Sequence, residues 1–306
     1  MSTMKAERAD ANAQYSAHAM YIQPSGPFDV LLPEIVPHVF RDEQKRAFAP
    51  DAPTGMVLLD LSASLRTDGP ATTPVMLARY LVIRAHETLS HRFISSGEIF
   101  YPIRGSGAST SGGVTLTWKS GDVFCFPGGA ETRHTADEDT VLLCVTNEPE
   151  LAYQGLPAPL LSDSVTQPTL FKGELIDQHL SGRVGVPTKT AGKGILLVTP
   201  RLDRTKAMTP TLSIAMNTLE PGGDQRPHLH NAAALTLAIS YEGVYSMIDG
   251  QRYDWQPFCV MVTPPRAMHS HHNRGPGLMK ALVFQDGGLY YQYRNPAFSF
   301  GGDGPR

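Results

Sequence analysis

The sequence has few cysteines, no long apolar run and no marked excess of either charge. Cys125, Cys144 and Cys259 are its only cysteines, an odd and sparse set that excludes a disulfide-stapled secreted scaffold. No apolar run is long enough to cross a bilayer, and residues 1–14 lack the apolar core of a signal peptide. The 26 basic and 29 acidic residues give a net charge of −3 without a basic patch, which argues against a nucleic-acid partner. We therefore expect a soluble cytoplasmic protein that binds neither nucleic acid nor membranes.

Glycine and proline are abundant, with 28 and 25 copies in 306 residues. They separate short β-branched and aromatic runs such as Val123–Phe126 and Val260–Thr263, a pattern typical of a mostly β protein. Helix-compatible sequence is confined mainly to residues 4–20, 43–48 and 170–179. The length suits one large domain or two medium ones.

The two halves of the sequence repeat the same order of features. A Thr-Pro pair is followed 17 or 18 residues later by a histidine, His91 in the first half and His228 in the second. A glycine turn, an apolar run ending in proline and a further histidine follow in each half, at His134 and His269. A repeat this long predicts a duplicated β domain, because solenoids and propellers repeat every 20–50 residues.

Five of the 11 histidines fall in two short stretches of the second half: His228, His230, His269, His271 and His272. Residues two apart on a strand point to the same side, so His228 and His230 present two imidazoles to one face. His269 follows a turn and completes a candidate set of three. Three imidazoles suit Zn, Cu, Fe or Ni, and they leave coordination positions open, as in a catalytic site.

A strand continuing past His230 would place only small side chains on the histidine face. These side chains are Ala232, Ala234, Thr236, Ala238 and Ser240. They would leave room for a ligand beside the metal. This register is a hypothesis, because a bulge after His230 would reverse it.

The histidine stretches, with glycine turns at 242–243 and 249–250 between them, resemble the bicupin gentisate/salicylate 1,2-dioxygenase family of the cupin superfamily. The resemblance implies two tandem jelly-roll β-barrels behind a short helical N-terminal extension. The predicted domains are the extension at 1–50, an N-terminal cupin at 51–150, a connector at 151–190 and a C-terminal cupin at 191–306. A homo-oligomer is expected by analogy.

The same resemblance assigns roles to individual residues. Fe(II) would be held by His228, His230 and His269, and a small aromatic acid and O2 would be the reactants. His271 would lie near the substrate, and Asn217 stands where the family has a substrate-binding glutamine.

The sequence departs from the family pattern at three points. The family's carboxylate-binding arginine falls on Thr236, which is expected beside the substrate but has no guanidinium for a bidentate contact. Arg226 or Arg266 is an alternative partner for the anion, and the sequence does not choose between them. A Pro-Gly-Asp turn of the family is replaced at 257–259, and the intact metal motif is in the C-terminal cupin instead of the N-terminal one.

The N-terminal half carries an altered version of the motif. Phe93 occupies the position of the second histidine. His91, Glu98 and His134 are a candidate two-histidine, one-carboxylate metal site. We expect a scaffold instead, with Phe93 filling the barrel.

The sequence thus predicts an enzyme of aromatic catabolism that cleaves the ring of an ortho-hydroxybenzoate. O2 would be inserted between the carbons that bear the carboxyl and hydroxyl groups. His271 is predicted to act as an acid/base or hydrogen-bond donor, or to orient the site. The alternatives are a metal-dependent hydrolase, isomerase or decarboxylase on the same barrel, and a non-catalytic binding cupin.

Overall fold

The structure, a computed structural model, describes residues 12–23, 32–182 and 193–301. The chain forms two compact units, residues 1–33 and 34–306. The first unit contains a short helix, α1 (Ala13–Ser16), within the predicted helical stretch 4–20, of which residues 4–11 lie outside the described residues. Within the described ranges, no helix is long and apolar enough to span a membrane.

The first part of the second unit is mostly antiparallel strands. Its elements are β1 (His38–Val39), α2 (Arg41–Phe48), β2 (Gly55–Leu59), α3 (Ser62–Leu65), β3 (Leu77–Ile83), β4 (Thr88–His91), β5 (Glu98–Arg104), β6 (Ser106–Ser111), β7 (Val114–Lys119), β8 (Val123–Phe126), β9 (Thr132–Ala136), β10 (Thr140–Thr146), α4 (Glu148–Gln154), β11 (Thr169–Phe171) and α5 (Gly173–Ser181). Ten of these strands form two sheets, in the orders β11-β8-β5-β10-β3-β2 and β4-β9-β6-β7. We call this pair of sheets the N-terminal barrel.

The second part repeats the arrangement. Its elements are β12 (Lys193–Leu197), a 3₁₀ turn (Pro200–Leu202), β13 (Ser213–Leu219), β14 (His228–His230), β15 (Ala234–Ser240), β16 (Val244–Ile248), β17 (Gln251–Asp254), β18 (Val260–Thr263), β19 (His269–Asn273), β20 (Met279–Gln285), α6 (Gly287–Gln292) and β21 (Phe298–Phe300). The sheets have the orders β1-β18-β15-β20-β13-β12 and β17-β16-β19-β14-β21. They form the C-terminal barrel.

The larger sheet of each barrel is buried on both faces. One face of the N-terminal sheet packs inside its own barrel, where Phe100 and Phe124 meet Trp118 of the smaller sheet. The other face joins a common core with the C-terminal barrel, in which Ile99 and Leu235 take part. Burial on both faces explains continuous apolar runs such as residues 141–145 of β10, where every residue is buried. The predicted mostly β fold with two tandem barrels is confirmed.

Segments outside the two predicted barrels contribute strands to them. β1, from the predicted extension, pairs with β18 through His38 and Val262. β11, from the predicted connector, pairs with β8 through Thr169 and Cys125. The domain boundaries stay a prediction. Both flanking segments contribute a strand to a barrel sheet, so neither is separate from the barrels.

The strand registers show which residues of the two barrels are equivalent. Equivalent positions in the smaller sheets are 137 residues apart: His91 and His228, Thr132 and His269, Ser109 and Ser246, His134 and His271. The alignment of His134 with His269 made from sequence spacing is therefore wrong by two residues. His134 pairs with Ser109 as His271 pairs with Ser246, and Thr132 occupies the place of His269.

Candidate metal centre and its cavity

The three predicted metal ligands lie together in the smaller sheet of the C-terminal barrel. His228 and His269 are directly opposite on β14 and β19, and their ring centroids are 4.2 Å apart. The ring of His230, two residues along β14, lies 4.7 Å from that of His269. One nitrogen from each ring lies within 4.8 Å of the other two, and all three residues are buried. The predicted set of three histidines is thus brought together.

Backbone carbonyls set the tautomer of each ring. The Nδ1 atoms of His228, His230 and His269 lie 3.1, 2.8 and 2.9 Å from carbonyl oxygens two residues away along the chain. A carbonyl only accepts, so each Nδ1 carries the proton and each Nε2 is left with a lone pair. A hydrogen bond at Nδ1 is the usual support of a metal-binding histidine.

The three imidazoles are neutral at physiological pH. Burial lowers the pKa of His228, and it lowers that of His230 to about 4. Burial, followed by the neighbouring His228 and His230, lowers the pKa of His269 to about 2. Metal ligands must be deprotonated, so this donor set fits a divalent transition metal without an energetic cost for proton loss.

The chain crosses from one sheet to the other directly after the ligand strand. β14 and β15 belong to different sheets, so the continuous strand predicted from His230 to Ser240 is wrong. The predicted alternation nevertheless holds on β15. Ala234 and Ala238 face the interior of the barrel, whereas Leu235 and Leu237 pack into the core between the barrels.

His228 and His230 open onto a cavity of about 300 Å³. One wall is aromatic and includes Tyr290, Tyr291 and Phe298. The polar side chains that line it, apart from the histidines and tyrosine hydroxyls, are amides: Asn217, Gln225, Asn231 and Gln285. The site therefore combines an apolar surface for a flat ring with uncharged hydrogen-bonding groups near the metal position.

The other predicted site residues are distributed around this cavity. Asn217 lines it. Thr236 is buried on β15 beside a separate small pocket with Met261 and is not among the cavity-lining residues. His271 lies behind the ligands, with its ring centroid 6.1 Å from that of His269. The roles of Asn217, Thr236 and His271 stay predictions.

His271 is anchored by its neighbours. Its Nδ1 is 2.8 Å from the hydroxyl of Ser246, which also accepts a hydrogen bond of 2.8 Å from the indole of Trp255. Its backbone N–H donates to the side-chain oxygen of Gln225 at 3.2 Å. Burial lowers the pKa of His271 to about 3. The residue thus connects a fixed polar network to one of the amides that line the cavity.

Neither arginine considered as an anion partner lines the cavity. The guanidinium of Arg226 lies 4.3 Å from the ring centroid of Phe300. Arg266 follows the β18 turn with φ +63, and its backbone N–H donates to the carbonyl of His230 at 2.7 Å.

The C-terminal aromatic segment belongs to the site, which sequence reasoning missed. β21 pairs with the ligand strand, with Phe300 opposite His228 and Phe298 opposite His230. The ring of Phe298 stacks on that of His228 at 5.0 Å. No local pattern in the sequence indicated that this segment pairs with β14. Gln225, Asn231 and Gln285 were missed for the same reason.

The altered motif of the N-terminal barrel brings two histidines into contact but does not form a group of three ligands. The Nε2 atoms of His91 and His134 lie 2.9 Å apart, and the ring of Phe93 stacks on His91 at 3.8 Å. Among the described residues, only the C-terminal histidines form a group of three ligands close enough to hold one ion. This packing supports the expected scaffold role, although Glu98 lies 4.0 Å from His91.

Two antiparallel barrels, with three clustered histidines in one of them, give the chain a bicupin fold. Residues 215–284 match the family described as "Cupin domain". The structure resembles that of salicylate 1,2-dioxygenase from Pseudaminobacter salicylatoxidans, with a TM-score of 0.76 and 16% identity over 97% of this chain and 99% of that one.

Curated relatives point to the same group. A 1-hydroxy-2-naphthoate 1,2-dioxygenase of Nocardioides sp. (strain KP7) is 29% identical over 115 residues, 35% of this chain and 30% of that relative. A 5-aminosalicylate 1,2-dioxygenase of Comamonas sp is 34% identical over 90 residues, 29% of this chain and 24% of that relative. The matched part thus spans less than a third of each. The predicted resemblance to the gentisate/salicylate 1,2-dioxygenases is confirmed.

Proposed function

We propose that the protein is an Fe(II)-dependent dioxygenase that cleaves the ring of a gentisate/salicylate-type aromatic acid. The ring opens between the carbons that bear the carboxyl and hydroxyl groups, and both atoms of O2 enter the product, so no external reductant is consumed. The observation that carries the proposal is the group of three neutral histidines, two of which open onto an aromatic-walled cavity. The relatives named above act on substrates of this type.

The metal position suits this chemistry. His228, His230 and His269 each offer an Nε2 lone pair and leave coordination positions open. Fe(II) bound there supplies a centre that takes both the ortho-hydroxy acid and O2 and carries electrons between them.

The protein's own side chains position the substrate. Tyr290, Tyr291 and Phe298 pack against the aromatic ring and keep water away from it. Asn217, which lines the cavity, hydrogen-bonds an oxygen of the substrate. His271 is a positioning residue, since it is fixed by Ser246 and holds the amide oxygen of Gln225.

The proposal includes a cytoplasmic location and a homo-oligomer. The three cysteines are unpaired and buried, which suits a reducing compartment. Sedimentation of the purified protein would give the oligomeric state, and a purely monomeric species would contradict that part.

We expect O2 uptake when anaerobically Fe(II)-loaded protein is mixed with an ortho-hydroxybenzoate. An oxygen electrode and the ultraviolet spectrum would follow O2 and the ring for salicylate, gentisate and 1-hydroxy-2-naphthoate. One O2 should disappear per ring cleaved. Benzoate, which lacks the hydroxyl group, and Zn(II)-loaded protein are the controls and should give no uptake.

Absence of uptake with all these acids, in protein that holds iron at one ion per chain, would contradict the proposal. A metal-dependent hydrolase, isomerase or decarboxylase would then be the function to test.

A further inference from the structure

The cavity of the metal centre has no cationic side chain in its described lining. Its polar contacts come from the neutral histidines, two tyrosines and four amides. Among the described lining residues, a carboxylate in this cavity would meet no positive charge other than a bound metal. Its remaining lone pairs need uncharged hydrogen-bond donors, because a buried anion without them is costly.

Two of the four amide side chains, those of Asn231 and Gln225, already hydrogen-bond to the protein. Asn231 donates to the carbonyl of Asn295 at 2.7 Å and accepts from the backbone of Ala297 at 3.2 Å. The side-chain oxygen of Gln225 accepts the backbone N–H of His271. These contacts tie both side chains to the walls of the cavity.

Gln285 has a different orientation. Its amide nitrogen lies 3.1 Å from the Nε2 of His230, the nitrogen whose lone pair is available for a metal. A metal held by the three histidines takes that lone pair, and the amide N–H then faces the groups bound beside His230. The donor thus lies beside the candidate metal position, within reach of a group bound next to His230.

The backbone of Gln285 is firmly held. It ends β20 between Ser213 and Ala234 of the neighbouring strands. The carboxylate of the next residue, Asp286, accepts the backbone N–H of Ala233 at 2.9 Å, in the segment that follows the ligand strand. The backbone that carries the amide is therefore fixed beside His230, so only the side chain has to turn when a metal takes the lone pair of His230.

We propose that Gln285 holds the substrate's carboxylate in place of the arginine that the family pattern puts at Thr236. The inference rests on the proposed function for the identity of the ligand. An amide donates a hydrogen bond but adds no positive charge, so the cavity suits an aromatic acid with one anionic group. The other substituents on the ring of this acid are uncharged, such as a hydroxyl group, a methyl group or a fused ring.

The test is salicylate binding to Zn(II)-loaded protein, measured by calorimetry without turnover. Gln285→Ala should weaken salicylate binding about tenfold, because a hydrogen bond to a charged group is lost. Zn(II) affinity should be unchanged or higher, since no amide competes for the lone pair of His230. Gln285→Glu should weaken salicylate binding further and tighten Zn(II) binding. Gln251→Ala, in the exposed β17 hairpin, is the matched control and should behave like wild type.

The charge preference is tested on the same wild-type protein. 5-Methylsalicylate should bind like salicylate, whereas 5-sulfosalicylate, with a second anionic group, should bind at least about tenfold more weakly. The methyl compound controls for the added bulk.

Wild-type salicylate affinity in Gln285→Ala, or equal binding of the sulfonated and methylated compounds, would overturn the inference and leave the dioxygenase in place. If salicylate binding depends on Gln285 but the Fe(II) form takes up no O2, only the proposed dioxygenase reaction would be contradicted. Wild-type protein that binds Zn(II) but none of salicylate, gentisate and 1-hydroxy-2-naphthoate would overturn both.

Discussion

Replacement of His269 by alanine is expected to lower metal affinity at least about 100-fold and to reduce O2 uptake to background. Even loss of a residue that merely supports a ligand costs 10–100-fold in affinity, so loss of a ligand costs more. His228 and His230 alone cannot provide three donors. His269 lies opposite His228 on the neighbouring strand, with its ring 4.7 Å from that of His230. Titration of apo-protein with Zn(II) against a chromophoric chelator gives the affinity, and an oxygen electrode gives the uptake.

The matched control is His272→Ala, three residues along the same strand. The imidazole of His272 pairs with Asp224 and stacks on Tyr245, away from the three ligands. This variant should retain wild-type metal affinity and O2 uptake. Wild-type affinity in His269→Ala would contradict the assignment, and a parallel loss in both variants would indicate a general effect on β19.

The clustering of the candidate metal ligands could be predicted from the sequence because much of their geometry is local. His228 and His230 share a strand, and the period of two places both rings on one face. The third candidate, His269, was predicted from the turn that precedes it and from the family resemblance, since its equivalent in the N-terminal barrel is Thr132. Asn217 came from the family pattern, and the structure places it in the cavity.

The rest of the site depends on pairings that sequence spacing does not encode. Phe298 and Gln285 reach the ligands because β21 adds to one sheet and β20 ends beside the crossing at residues 231–233. The equivalence of His134 with His271 likewise follows from the strand registers. The spacing of the histidines along the sequence had instead aligned His134 with His269. Such long-range registers are set by side-chain packing across whole sheets.

A buried carboxyl group in the N-terminal barrel leads to a second prediction of large effect. The side chain of Glu98 is fully buried, and one of its oxygens accepts a hydrogen bond from Thr132 at 3.0 Å. The other oxygen has no hydrogen-bond partner among the described residues. Burial raises the pKa of Glu98 from 4.5 to about 8, and burial lowers that of the nearby His91 to about 2. The two therefore do not form an ion pair at neutral pH.

Glu98→Gln is expected to stabilise the protein at neutral pH. Between pH 4.5 and 8 the folded protein keeps a proton on Glu98 that the unfolded chain has released. The free energy of unfolding therefore falls as pH rises through this window, by up to about 1.4 kcal/mol per pH unit. Glutamine is uncharged and still accepts from Thr132, so the variant should gain about 3 kcal/mol over wild type at pH 7.5 and almost nothing near pH 4.5.

Urea unfolding of both proteins at pH 5, 6, 7 and 8 would measure this difference. His91 and His134, whose folded pKa values are lowered to about 2 and 3, add stability that rises with pH up to their ordinary value of 6.5. That contribution is common to both proteins and cancels in the difference. Glu131→Gln, on the surface of the same barrel, is the control and should follow wild type. A difference that does not change with pH would show that Glu98 is ionised in the folded protein, with its charge balanced by the buried guanidinium of Arg79.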